Sequence, residues 1–408
     1  MKKLLMTLAV FGAAAAARAQ EEPKKPSIVC VEGKCNEPAP AEATREPGER
    51  FLENLKFEVY GIADIALLYR DNIATNGKDN KAGLQNFVTL VSGGRNQSRI
   101  GLRGFYKLGP GFRALIELEK GVNYMDGTIE DGTAGDPTQF LNRRAAIGLE
   151  MEGIGRLSVG RQLSPMYDFL IQIDPMNYSP TFSWVPTTGS GDPTTFKPNA
   201  GRYSTRVDRN IKYAGRFGGL QIIAYYAMGD SLSGIVNNSR YGGGAMYTAG
   251  PLSTLFVYDQ RNLTVTPTGL PKEQAGSFWV RYRLLDNLLT PIAGVRRYVA
   301  DYRNVSDTLW IMGLQIRPTS KWTFVIADYF DKKTDGTGQD ANLFVLRANY
   351  ALGKIVEVYT TYGHASSSNG GLAGVMRAND AAPVAGDQNG FSLGIRIRYG
   401  YPAAGAAD

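Results

Sequence analysis

The chain is short of the residues that most enzyme and metal sites need. It has one histidine, His364, and two cysteines, Cys30 and Cys35, in 408 residues. Barrel hydrolases depend on a nucleophile beside an activating base, commonly His. His364 sits in Tyr362-Gly363-His364-Ala365 with no Ser or Asp partner identifiable from sequence, so it reads as a polar residue near a loop and the chain as a non-enzyme. With no third Cys or any His near Cys30 and Cys35, neither metal nor another cofactor is implied. A P-loop is absent, and Gly153-Ile154-Gly155 lacks the third glycine of a dinucleotide fold. Dense basic runs are missing too, which with export argues against nucleic acid as a partner.

Long apolar runs are confined to the start. Lys2 and Lys3, the apolar stretch Leu4 to Ala17, and Ala17-Arg18-Ala19 make a secretory signal over 1–19. Beyond it no run of about 18 apolar residues occurs, so no membrane helix is expected. The mean hydropathy of −0.22 would suit a soluble protein. A transmembrane β-barrel escapes that test, because lumen-facing polar residues dilute every window.

What is present is alternation. In Phe391-Ser392-Leu393-Gly394-Ile395-Arg396-Ile397-Arg398-Tyr399, apolar residues take one strand face and Ser, Gly and Arg the other. Similar segments recur near 55–70, 96–107, 111–124, 140–152, 154–162, 206–217, 219–229, 240–249, 252–262, 274–285, 287–303, 307–317, 320–331, 340–351, 353–364 and 389–399. That makes sixteen, an even number as bacterial barrels have, with tight and long connections in turn. The expected fold is an all-β, antiparallel, sixteen-stranded transmembrane barrel over 55–399, located in the outer membrane among its lipid and lipopolysaccharide. Abundant Tyr (22) and Phe (17) against 4 Trp suit interfacial girdles.

Residues 20–54 are rich in Pro and Glu and hold eight acids and five bases, which predicts a flexible periplasmic extension. An oxidising compartment permits a disulfide between Cys30 and Cys35, closing a short loop. Residues 55–408 carry 37 basic and 30 acidic residues, a net +7. Arginines spread singly along strands predict a lumen that mildly attracts anions. The gap 162–205 has six prolines and no strand pattern. A structureless stretch of that length calls for a function, and folding inward to narrow the channel supplies one.

Seven stretches taken together resemble general porins of the Gram-negative outer membrane, most closely the beta-proteobacterial kind. They are Val59–Asp64, Gln97–Gly104, Ala114–Gly121, Asn142–Leu149, Val159–Asp168, Arg206–Tyr213 and Gly394–Tyr399. The resemblance implies a homotrimer whose third external loop folds into each pore, passing small hydrophilic solutes and ions by diffusion. It places constriction arginines at Arg99, Arg143 and Arg206, opposed by loop acids at Asp174 and Asp168. The family's next loop acid is missing, since Tyr178 stands near its place. The chain also continues past Tyr399 into a 400–408 tail, where family members usually stop. A solute-specific channel, for carboxylates for instance, and a barrel-based surface receptor are the alternative functions.

Strand parity gives a second view of these positions. Arg99 and Arg103 lie opposite Ile100 and Leu102, hence in the lumen; Arg206, Asp208, Asn210 and Lys212 share one face. Further lumen candidates are Arg281, Arg283, Arg347 and Arg396. Adjacent Arg143 and Arg144 cannot both point inward from one strand, and Arg161 shares its face with Leu157 and Val159. An arginine facing lipid at mid-depth costs about 2–4 kcal/mol. Arg144 and Arg161 are therefore expected either at a subunit interface, paired with a neighbour's acids, or at headgroup depth.

Overall fold

The computed structural model describes residues 30–31, 34–35, 51–74, 84–128, 140–185, 205–229, 236–267, 269–301, 305–334, 336, 338–369, 374–375 and 387–400. The signal at 1–19, most of the 20–54 extension and the tail after Gly400 lie outside them. Two compact units result, 1–53 and 54–408. In the first, β1 (Cys30–Val31) pairs antiparallel with β2 (Lys34–Cys35), with Cys30 opposite Cys35. Their side chains, and so the disulfide expectation, lie outside what is described.

The second unit is a closed antiparallel barrel. Its strands begin with β3 (Leu55–Ala74), β4 (Leu84–Ser92), β5 (Arg99–Gly109), β6 (Phe112–Gly121), β7 (Arg144–Met151) and β8 (Gly155–Leu163). Next come β9 (Arg206–Phe217), β10 (Leu220–Ala227), β11 (Arg240–Ala249), β12 (Leu252–Asn262) and β13 (Lys272–Tyr282). The circuit is completed by β14 (Leu289–Ala300), β15 (Val305–Ile316), β16 (Trp322–Lys333), β17 (Ala341–Ala351), β18 (Val356–Ser367) and β19 (Gln388–Tyr399). Closure is by β19 on β3, from Gly390 opposite Arg70 to Tyr399 opposite Gly61. Closing the sheet leaves no unpaired edge, which the apolar bilayer core demands.

Seventeen named segments make sixteen barrel positions. β4 pairs with Ile65–Ala74 of β3, and β5 with Leu55–Ile62 of the same strand. The two are halves of one wall strand, interrupted by Gly93–Ser98. Sequence pattern places a single strand at 96–107; the break puts 96–98 outside it and adds 84–92, which the pattern does not predict.

Alternation sorts the side chains as expected. On β19, Phe391, Leu393, Ile395, Ile397 and Tyr399 are exposed to the outside, while Ser392 is buried. Tight connections fall at one end, with Gly111 (φ 65°) and Gly218 (φ 58°) in the left-handed region that glycine adopts freely. Exposed Phe217, Tyr247, Tyr282, Trp322 and Tyr399 ring this end, and Tyr241, Phe330, Phe344, Tyr362 and Phe391 ring the other. The amphipathic rings of Tyr and Trp favour these two depths.

The connection after β8 is the third long one, and it is not structureless. Residues Pro165–Ile173 form a helix, α1, with Ser164 as N-cap accepting from the Tyr167 amide (3.4 Å) and Pro165 in the first turn. It packs on β10, β11 and β12 through buried Met166, Phe169, Leu170 and Ile173. Beyond it, Tyr329 donates to Asp174 Oδ1 (2.6 Å), Gln315 to the Pro175 carbonyl (3.4 Å), and Arg347 to the Pro175 and Met176 carbonyls (both 3.3 Å). Arg296 donates to the Val185 carbonyl. These wall side chains alternate with exposed apolar neighbours such as Phe330, Leu346 and Phe344. The segment they hold therefore lies inside the barrel.

Candidate pore constriction

The inner wall over β3 to β9 carries two rows of charge. In one, Glu119 of β6 accepts from Arg143 Nε at Oε1 (2.6 Å) and from Tyr60 at Oε2 (2.9 Å), and lies 3.7 Å from Arg99 Nε. Gln97, in the Gly93–Ser98 break, accepts at Oε1 from Arg143 Nη1 (2.7 Å) and Arg206 Nη2 (3.4 Å); its carbonyl accepts from Arg99 Nη1 (3.1 Å). The structure thus brings Arg99, Arg143 and Arg206 together, at 7, 1 and 4 % exposure. They converge on a glutamine and a wall glutamate, neither of which the sequence reading selected.

In the second row Glu117 meets Arg103 (3.5 Å), Arg144 (3.3 Å) and Arg156 (3.1 Å). Arg103 also lies over the Tyr60 ring, 4.4 Å from its centroid. Asp168, in the first turn of α1, pairs with Lys212 (2.7 Å) and sits 3.8 Å from Arg144. Seven cations of these rows (Arg99, Arg103, Arg143, Arg144, Arg156, Arg206, Lys212) face four carboxylates, counting Glu150 beside Arg156. The surplus is positive, and a low-dielectric wall focuses such a field.

A further inward group lies beside the break. Asp64 accepts from Tyr359 (2.6 Å) and the amides of Asn96 (2.8 Å) and Arg95 (3.3 Å), fastening the interrupted strand. Arg396 reaches Asn96 (2.6 Å) and Glu357 (3.1 Å), and Arg95 also pairs with Glu357. Arg281 and Arg283 lie toward the tight-turn end, bonded to the Gln172 carbonyl (2.8 Å) and the Gly250 carbonyl (2.6 Å).

Three expectations, for Asp174, Arg144 and Asp208, change. Asp174 is engaged away from Arg99, Arg143 and Arg206: Tyr329, Ser183 (2.9 Å) and the Tyr178 amide (2.6 Å) occupy its carboxylate. Burial raises its pKa against those hydrogen bonds. It fastens the loop instead of lining an opening. Arg144 points inward to Glu117 and Asp168, not to a neighbouring subunit; Arg143 precedes β7, so strand parity never coupled the two. Arg161 faces outward as expected, and there pairs with Asp208 of its own chain and donates to the Asn142 carbonyl (2.8 Å). Asp208 in turn leaves the face of Lys212, because one extra residue beside Arg209 (φ 50°) shifts the β8–β9 register.

His364 contacts Asn389 Oδ1 (3.0 Å) on the outward face, and among the described residues no group of acids, Cys and His is placed to hold a metal.

Comparison with known proteins agrees with this fold. An outer membrane porin of Bordetella pertussis is 29% identical over 223 residues, 50% of this chain and 54% of that protein, so the match spans about half the relative's length. The anion-selective porin of Comamonas acidovorans superposes with a TM-score of 0.69 at 20% identity, covering 85% of this chain and all of that one. OmpT of Vibrio cholerae gives 0.57 at 14% identity over 85% of this chain and 98% of its own. Residues 6–370 match the Gram-negative porin family, and the chain belongs to that family of outer-membrane barrels.

Proposed function

We propose that the barrel is a passive channel for small hydrophilic solutes and ions, weakly selective for anions, working as a homotrimer without catalysis. The carrying observation is the convergence of Arg99, Arg143 and Arg206 on Gln97 and Glu119 within a wall where cations outnumber carboxylates. Arginine stays charged at any relevant pH, so the field is permanent. The Comamonas relative is described as anion-selective, and the Vibrio OmpT has been solved as a trimer. Residues 20–54 join the barrel at Leu55, at the tight-turn end, which in this family of folds faces the periplasm. They serve as a periplasmic extension with Cys30–Cys35 as a small staple. Reconstitution in planar bilayers tests the whole: conductance steps in groups of three with a reversal potential on the anion side support it, and a silent bilayer opposes it.

A further inference from the structure

Three arginines gather at the tight-turn mouth with no acid bound to them. Arg281 is next to last in β13, Arg283 follows that strand, and Arg317 follows β15. Only β14 separates the two strands in the wall. Arg281 faces inward, since its Nη1 donates to the Gln172 carbonyl of the inward loop (2.8 Å), and Arg283, two residues on, shares that face. Arg317 stands two residues after Gln315, which also reaches the loop at the Pro175 carbonyl.

All three are aimed by neutral groups. Arg281 Nη2 donates to Ser253 Oγ (3.2 Å), Arg283 Nη2 to the Gly250 carbonyl (2.6 Å) and Arg317 Nη2 to Gln315 Oε1 (2.8 Å). Arg281 lies opposite Ile292 of β14, and Ile292 opposite Gly313 of β15, four residues before Arg317, so the trio sits at one end of two strands that flank β14. Elsewhere on the wall Arg95, Arg99, Arg103, Arg143, Arg144, Arg156, Arg240 and Arg396 each meet a carboxylate, while Arg347 is taken up by carbonyls and an amide of the inward loop. Among the described residues this trio meets none, and Arg281 Nε has no hydrogen-bond partner. Guanidinium groups held on neutral supports keep donor forks that suit carboxylate and phosphate oxygens.

We propose that Arg281, Arg283 and Arg317 form a binding station for small multivalent oxyanions at the tight-turn mouth of the channel. The station deepens the proposed function: it retains anions with two or more charges, whereas the wall at Gln97 sorts ions by sign. Bound ligand would bridge the two strands across β14.

Pyrophosphate is the probe. Calorimetry on the detergent-solubilised native trimer is expected to show saturable binding, and the R281Q/R283Q/R317Q variant a dissociation constant at least about tenfold weaker, as loss of one charge-assisted hydrogen bond alone would give. Equal affinity in the two proteins, or no binding to the native one, overturns the station. In planar bilayers the native channel should be blocked at lower pyrophosphate concentration from one side, an asymmetry the variant loses; block that is equal from both sides contradicts it. Calorimetry needs no current, so a silent pore would refute the channel without touching the station.

Discussion

Gln97 Oε1 accepts from Arg143 at 2.7 Å and from Arg206 at 3.4 Å, so one neutral amide holds two guanidinium groups that would otherwise repel. The acceptor has no strand of its own. It lies in the Gly93–Ser98 break, which the Asp64 carboxylate fastens through Asn96 and Arg95. The proposed selectivity of the wall thus depends on a local interruption of the sheet.

Replacing Gln97 by Glu places a negative charge between Arg143 and Arg206 while keeping the side-chain shape. Zero-current potentials in a KCl gradient should move toward cation preference in Q97E, by less than the loss of all three arginines produces. An unchanged potential would place the ion path elsewhere.

Gly313 of β15 is the seat of Pro175. A Cβ built there would lie 2.6 Å from both Cβ and Cγ of the proline, within a loop segment tied to the wall on both sides. Overpacking of this kind costs about 1–3 kcal/mol. G313V should lower the thermal unfolding midpoint and alter single-channel conductance as the loop shifts. G353A, where no atom lies within 4 Å, serves as the control and should leave both unchanged.

Tyr329 donates its hydroxyl to Asp174 at 2.6 Å inside the barrel. In Y329F the buried carboxylate loses one of three donors, at a cost of about 1–3 kcal/mol. Increased open-channel noise and a lower unfolding midpoint are expected, with the KCl reversal potential retained. Were selectivity to change instead, Asp174 would belong to the ion path after all.

Ionic strength offers a test without mutation. Exposed charges are screened over about 10 Å at 0.1 M salt and about 3 Å at 1 M. Anion preference measured at a fixed concentration ratio should therefore decline as total salt rises. Preference independent of salt would point to size or specific binding instead of the field.

The barrel was legible because period-two alternation survives where an unbroken strand has one apolar and one polar face, as at Phe391–Tyr399; at Phe324–Phe330 and Leu252–Val257 burial alternates although apolar residues take both faces. Parity failed where the backbone departs from a continuous strand. Arg143 precedes its strand, Asp208 lies before an extra residue at Arg209, and Gln97 lies in a break. Glu119 could have been found, since it shares with Glu117 the face of β6 opposite Ile116 and Leu118. Helix α1 also had a local signal, Ser164-Pro165 ahead of Asp168, which the prolines of the surrounding stretch obscured. Asp174 could not be assigned from sequence, because its role follows from Tyr329, which is 155 residues away.

Everything proposed about selectivity rests on the wall arginines, and one measurement reaches them directly: the reversal potential of the reconstituted native protein and of R99Q/R143Q/R206Q in the same KCl gradient. The native channel is expected to pass chloride in preference to potassium, and the variant to shift toward potassium. Identical potentials in the two proteins would contradict the assignment of the filter to Arg99, Arg143 and Arg206.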